Sequence, residues 1–97
     1  VFDRTNNDLI GHLVDITHEG IMLISEESIE PNKIFQFRMD LPKEIMGREH
    51  MYFDAESLWY HRDINPNFYN IGFRFLKVSQ QHFALVEELL DDFGFRD

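Results

Sequence analysis

Leu9-Ile10-Gly11-His12-Leu13-Val14-Asp15-Ile16-Thr17-His18-Glu19-Gly20-Ile21-Met22-Leu23-Ile24-Ser25 reads as two strands joined by a tight turn at His18-Glu19-Gly20. Asp15 and Thr17 have the same parity, so on a regular strand both side chains project from one face. A carboxylate and a hydroxyl two residues apart then form a small polar platform inside an apolar run. Gly20 closes the platform, because tight turns often need a backbone angle open only to Gly. A carboxylate accepting from two parallel N–H groups suits the edge of a guanine, and it suits an Arg fork equally well. Asp and Gly near a strand end are also ordinary turn chemistry. Taken alone, the triplet is weak evidence, and ordinary turn chemistry is the better account of it.

Outward from this hairpin, residues 1–4 read as a short strand and 5–8 as a turn of Asn and Asp. Residues 9–17 and 21–25 are the second and third strands, and 26–33 are a loop. Residues 34–41 alternate, with Phe35, Phe37, Met39 and Leu41 facing in. Pro42 is expected to end that strand, with a loop to about residue 49 and Gly47 as its hinge. A long strand follows over 50–61, with Met51, Phe53, Ala55 and Trp59 inward and His50, Asp54 and Glu56 outward. Residues 63–67 form a turn, and 68–76 return with Tyr69, Ile71, Phe73 and Phe75 on the inner face. At Ser79, an N-cap residue, the period changes from 2 to 3.6. Phe83, Val86, Leu89, Leu90 and Phe93 recur at helical spacing, and Gly94 is a natural stop. Burial of Phe83, Val86, Leu90 and Phe93 is expected. The fold expected is mainly β, a six-stranded antiparallel barrel with one C-terminal helix, since closure removes vulnerable edges.

The 9–25 run closely resembles the signature region of bacterial PilZ domains, an Asp/Asn-x-Ser-x-x-Gly motif between two strands, here with Thr17 for Ser. Ile29-Glu30-Pro31-Asn32 is similar to that family's connection into its next strand. Ala55-Glu56-Ser57-Leu58-Trp59 resembles its long middle strand, and Ile71-Gly72-Phe73-Arg74-Phe75 its Ile-Gly-x-x-Phe element. The likeness spans nearly the whole chain in the right order. It implies a receptor or adaptor for cyclic di-GMP that performs no chemistry. By motif position, Asp15, Thr17 and Gly20 would form the guanine-side half of the site. Family members that bind the dinucleotide also carry Arg-x-x-x-Arg on a flexible segment well upstream. No arginine pair here has that spacing. Arg4 comes nearest, but its partner position is Asp8, and Arg4 lies too near Asp15. The arginine half would have to precede Val1, so residues 1–97 are expected to be one PilZ-like domain without that segment. Weak or absent binding of cyclic di-GMP is expected of this chain, and the alternative is a degenerate domain acting only as a protein–protein adaptor. An unrelated barrel holding a small ligand in its mouth is the remote third reading.

Composition narrows the remaining classes. Ninety-seven residues suffice for one modest core, and the lack of Cys removes disulfide and thiolate chemistry. No apolar run approaches the roughly 20 residues that span a bilayer, and no signal peptide is visible, so a cytoplasmic location is expected. Net charge is −9, from 18 acidic and 9 basic residues, which opposes nucleic-acid binding and the approach of a dianionic ligand. A basic protein partner is favoured instead, with a homodimer left as an open alternative. The five His residues show no metal-ligand spacing, and the serines sit in no nucleophile elbow. No metal, cofactor or catalytic residue is therefore expected. Arg74 is read outward, paired across strands with Asp54 or Glu56, with a phosphate contact as the sharper alternative if its face adjoins Asp15. Leu58, Tyr60 and Phe68 fall opposite the core face, and cover by the helix is expected for at least part of that set. Glu87, Glu88, Asp91 and Asp92 near the helix C-terminus read as a solvated acidic face, or as a docking surface for a basic partner.

Overall fold

The computed structural model describes residues 1–93, with side chains through Asp92. Six strands precede one helix: β1 Phe2–Asp3, β2 His12–Ile16, β3 Gly20–Ser25, β4 Ile34–Ile45, β5 Arg48–Arg62, β6 Tyr69–Leu76 and α1 Gln80–Phe93. All pairings are antiparallel, in the order β1-β4-β5-β6-β3-β2. The two outer strands meet again where Phe2 bridges Leu9 and the Ile10 N–H donates to the Val1 carbonyl at 2.9 Å. The sheet is thus curled into a half-barrel. Its inner face carries Leu23, Phe37, Met51, Phe53, Ala55, Ile71 and Phe73, all nearly inaccessible. Phe37 is the centre of an aromatic cluster, stacked on Phe35 and edge-on to Phe53 and Phe73.

The helix closes the half-barrel with Leu85, Val86, Leu89 and Leu90 in the same core. Ser79 caps it as expected, its Oγ accepting from the His82 N–H at 3.0 Å. The buried face is one step rotated from the expected one. His82 is 7% exposed, its ring edge-on to Phe53 and Phe75, whereas Phe83 is 48% exposed. The cap sets where the helix starts, and from that start positions 82, 85, 86 and 89 form the inward stripe. Val86 and Leu90 are buried as expected. The expectations on the Phe93 side chain and on Gly94 fall outside the described residues.

Pro42 does not end its strand. β4 continues to Ile45 and turns into β5 through Met46-Gly47, both at positive φ, between the paired Ile45 and Arg48. This is the two-residue hairpin geometry whose twist matches that of the strands. Pro42 is tolerated because the β4–β5 register is broken between Asp40 and Ile45, so its missing N–H interrupts no regular ladder.

The inner and outer sets exchange near the end of β5. Ser57, not Trp59, is the last core position, fully buried with its Oγ donating to the Glu30 carbonyl at 2.7 Å. A bulge between Ser57 and Trp59 inserts one residue and flips the parity beyond it. Trp59 therefore turns outward opposite Gly72, while Tyr60 pairs with the buried Ile71 and sits edge-on to Tyr69. Nor does the helix cover Leu58 and Tyr60, which stay 43% and 38% exposed; it packs on the concave side, against Phe53 and Phe75.

Candidate functional site

The turn after β2 is held by Thr17. Its N–H donates to the Gly20 carbonyl at 2.9 Å, and its Oγ1 accepts from the N–H groups of Glu19 and Gly20 at 3.1 and 3.3 Å. The hydroxyl is thus engaged in local turn chemistry. Gly20 is present for a different reason from the expected one. It has no positive φ; instead, a Cβ there would lie 1.9 Å from the Phe73 carbonyl oxygen. Close approach of β3 to β6, not turn conformation, demands glycine. The same turn is tied to β6 by the Phe75 N–H, which donates to the Glu19 carbonyl at 2.8 Å.

A second bulge places Asp15. The β2–β3 register shifts between Leu13 and Asp15, leaving Val14 as the extra residue. Leu13 pairs with the buried Leu23, and Ile16 with the buried Ile21, so both face the core. Asp15 pairs with Met22 between them and lies on the outer face, half-buried. Strict alternation from Leu13 would have turned it inward. Its Oδ1 accepts from the Ile16 N–H at 2.9 Å, and Oδ2 has no hydrogen-bond partner among the described residues.

The two bulges flank one row of the sheet. Asp15 pairs with Met22, Met22 with Gly72, and Gly72 with Trp59. The indole lies over Gly72, where a Cβ would come within 2.3 Å of it, and stacks on His61 at 5.0 Å with planes 4° apart. In the adjacent row Gly20 pairs with Arg74, and Arg74 with Glu56. The Arg74 Nε donates to Glu56 Oε1 at 2.7 Å, which is the cross-strand pair expected of it. Arg74 also shares the outer face with Asp15, one strand removed and about 10 Å across the sheet. The outer face thus joins a carboxylate, an aromatic platform and an ion-paired guanidinium. Such a surface can stack a planar base and accept from its N–H edge.

Sequence reasoning missed Trp59 and His61 as members of this surface. The signal was Gly72, because a glycine inside a strand marks the close approach of another group. Each described arginine already has a partner. Arg4 pairs with Asp54 at 2.9 Å, Arg38 with Asp40 at 3.2 Å, and Arg74 with Glu56. Arg48 donates to the His50 carbonyl, and Arg62 to the Pro66 carbonyl and the Tyr69 hydroxyl. Among the described residues no group of three His, Asp or Glu side chains is disposed to hold a metal ion, and no helix is long and apolar enough to cross a membrane.

Comparison with protein-family models matches residues 2–92 to the PilZ domain. No curated protein and no solved structure matches the chain.

Proposed function

The chain belongs to the PilZ domain family, a family of binding and adaptor modules, and from that premise we propose that it is the barrel half of a cyclic di-GMP receptor. Asp15 accepts from the guanine edge, Trp59 and His61 offer the base a stacking surface, and the turn formed by Thr17 and Gly20 holds Asp15 in place. The observation that carries this reading is the outer row of Asp15, Met22, Gly72 and Trp59, framed by a bulge on each side. Arg74 lies beside it, its Nε held by Glu56 and its Nη groups without a partner among the described residues.

The engaged arginines set the expected affinity. Hydrogen bonds to charged groups contribute about 1.5–3 kcal/mol each. A ligand that lacks two Arg–phosphate contacts loses roughly two to four decades of affinity. Titration calorimetry of cyclic di-GMP into the 97-residue chain should therefore show weak or no binding. Adding an Arg-x-x-x-Arg segment ahead of Val1 should restore it, and Asp15→Ala in that longer chain should abolish it. Submicromolar binding by the 97 residues alone would overturn this account and implicate Arg74.

A second reading is favoured by the engagement of the motif itself, since the Thr17 hydroxyl serves the turn and Arg74 serves Glu56. On that reading the domain is a protein-only adaptor. It gains support if the arginine-bearing chain also fails to bind.

A further inference from the structure

A cavity of about 490 Å³ opens at the end of the half-barrel opposite the 17–20 turn, between the start of β2, the end of β3 and the starts of β4 and β6. Half-buried Ile29, Phe35 and Phe68 supply apolar lining, and Asp8, Glu26 and Glu27 are exposed carboxylates around it. No Lys or Arg lines it. Its volume is that of a small-ligand pocket and admits a few side chains. The carboxylates around it differ from those of the neighbouring sheet. Asp40, Asp54 and Glu56 are each neutralised by an arginine, whereas Asp8, Glu26 and Glu27 have no ion-pair or side-chain hydrogen-bond partner among the described residues. An anionic ligand, cyclic di-GMP included, is repelled from this end of the molecule.

We propose that this cavity docks a basic, extended segment of a partner protein. A Lys or Arg stem lies along Phe35 and Phe68, in the manner of long cationic side chains that cover apolar surface and keep their heads in water. Its charged head meets Glu26, Glu27 and Asp8, and a neighbouring aliphatic side chain fills the space beside Ile29. Charge complementarity selects the partner, and the apolar lining gives the register. The site stands apart from the outer-face row, so it holds whether or not that row binds a dinucleotide.

The test is an NMR titration of the isotopically labelled chain with the peptide acetyl-Gly-Leu-Lys-Arg-Leu-Gly-amide. Saturable shifts are expected at the amides of Gly11, Ile24, Phe35 and Phe68, which line or adjoin the cavity. Glu26→Lys with Glu27→Lys, both exposed and therefore compatible with folding, should weaken binding about tenfold or more. Glu88→Lys with Asp91→Lys, on the exposed face of α1, makes the same change in net charge elsewhere and should leave the affinity within about twofold. The proposal is overturned if those amides do not shift saturably. It is equally overturned if the helix reversal weakens binding as much as the cavity reversal, or if a peptide with Ser in place of both Leu residues binds as well.

Discussion

Gly20 and Gly72 lie two residues across β3 and β6 from one another, yet they exclude a side chain for different reasons. At Gly20 the obstacle is backbone, the Phe73 carbonyl 1.9 Å from a Cβ; at Gly72 it is the Trp59 indole, 2.3 Å away. Gly20→Ala must push two strands apart, and a loss of about 1–3 kcal/mol is expected in urea denaturation, with no single compensating change. Gly72→Ala should cost a similar amount in the presence of Trp59 and much less in a Trp59→Ala background, because a side chain can be removed where a strand cannot. A double-mutant cycle reads that difference as a coupling energy. Equal costs in both backgrounds would mean that the indole does not rest on Gly72. Thr17 can be probed in the same way. Thr17→Val deprives the Glu19 and Gly20 N–H groups of their acceptor and should cost about 0.5–1.5 kcal/mol, while Thr17→Ser should keep nearly all the stability.

At the level of elements, the helix engages the sheet through two unequal faces. Leu89 is 1% exposed in the core, so Leu89→Ala should cost about 2–5 kcal/mol. Phe83 is half-exposed, and Phe83→Ala should cost only about 1 kcal/mol. What Phe83 does touch is the motif turn. His18 stacks on its ring at 4.6 Å, and His18 Nε2 meets Glu87 Oε1 at 2.5 Å, one helical turn further on. The His18 side chain thus fastens the turn between β2 and β3 to α1. His18→Ala should accelerate hydrogen exchange in α1 while leaving the β4–β5 ladder unchanged. Uniform acceleration of both would show global destabilisation instead of a local fastening.

For the molecule as a whole, pH acts through a buried imidazole. Burial lowers the pKa of His82 below its ordinary value of 6.5, and its Nε2 has no hydrogen-bond partner among the described residues. Burial makes protonation harder in the folded state, whereas the unfolded chain takes up the proton as pH falls through about 6.5. The contribution is therefore complete above pH 6.5 and is lost progressively below it. Thermal melts between pH 7.5 and 5 should show a falling midpoint, and His82→Phe, which keeps an aromatic ring against Phe53 and Phe75, should flatten the slope. An unchanged slope in that variant would overturn the assignment to His82. Charge also shapes binding at this scale. At a net −9, with Arg4, Arg38 and Arg74 each paired to a carboxylate, the surface favours cationic partners and opposes anionic ones unless cations are added locally.

Much of this was legible in the chain alone. Alternation over 34–41 and 50–57, the turn residues at 63–67 and the change of period at Ser79 suffice for six strands, one helix and most of the core. The order of motifs points to the family in the same way, since each is a local pattern. Local pattern fails where a long-range contact changes the count. The bulges at Val14 and Leu58 each insert a residue that alternation cannot foresee, and they decide that Asp15 and Trp59 share the outer face. The break in register around Pro42 lets a strand run through a proline, and the Ser79 cap together with the ring of Phe75 turns His82 inward in place of Phe83. Hydrophobic periodicity records which residues prefer to be buried. Which face they finally occupy depends on strand pairing and helix docking, and those exist only once the sheet has curled.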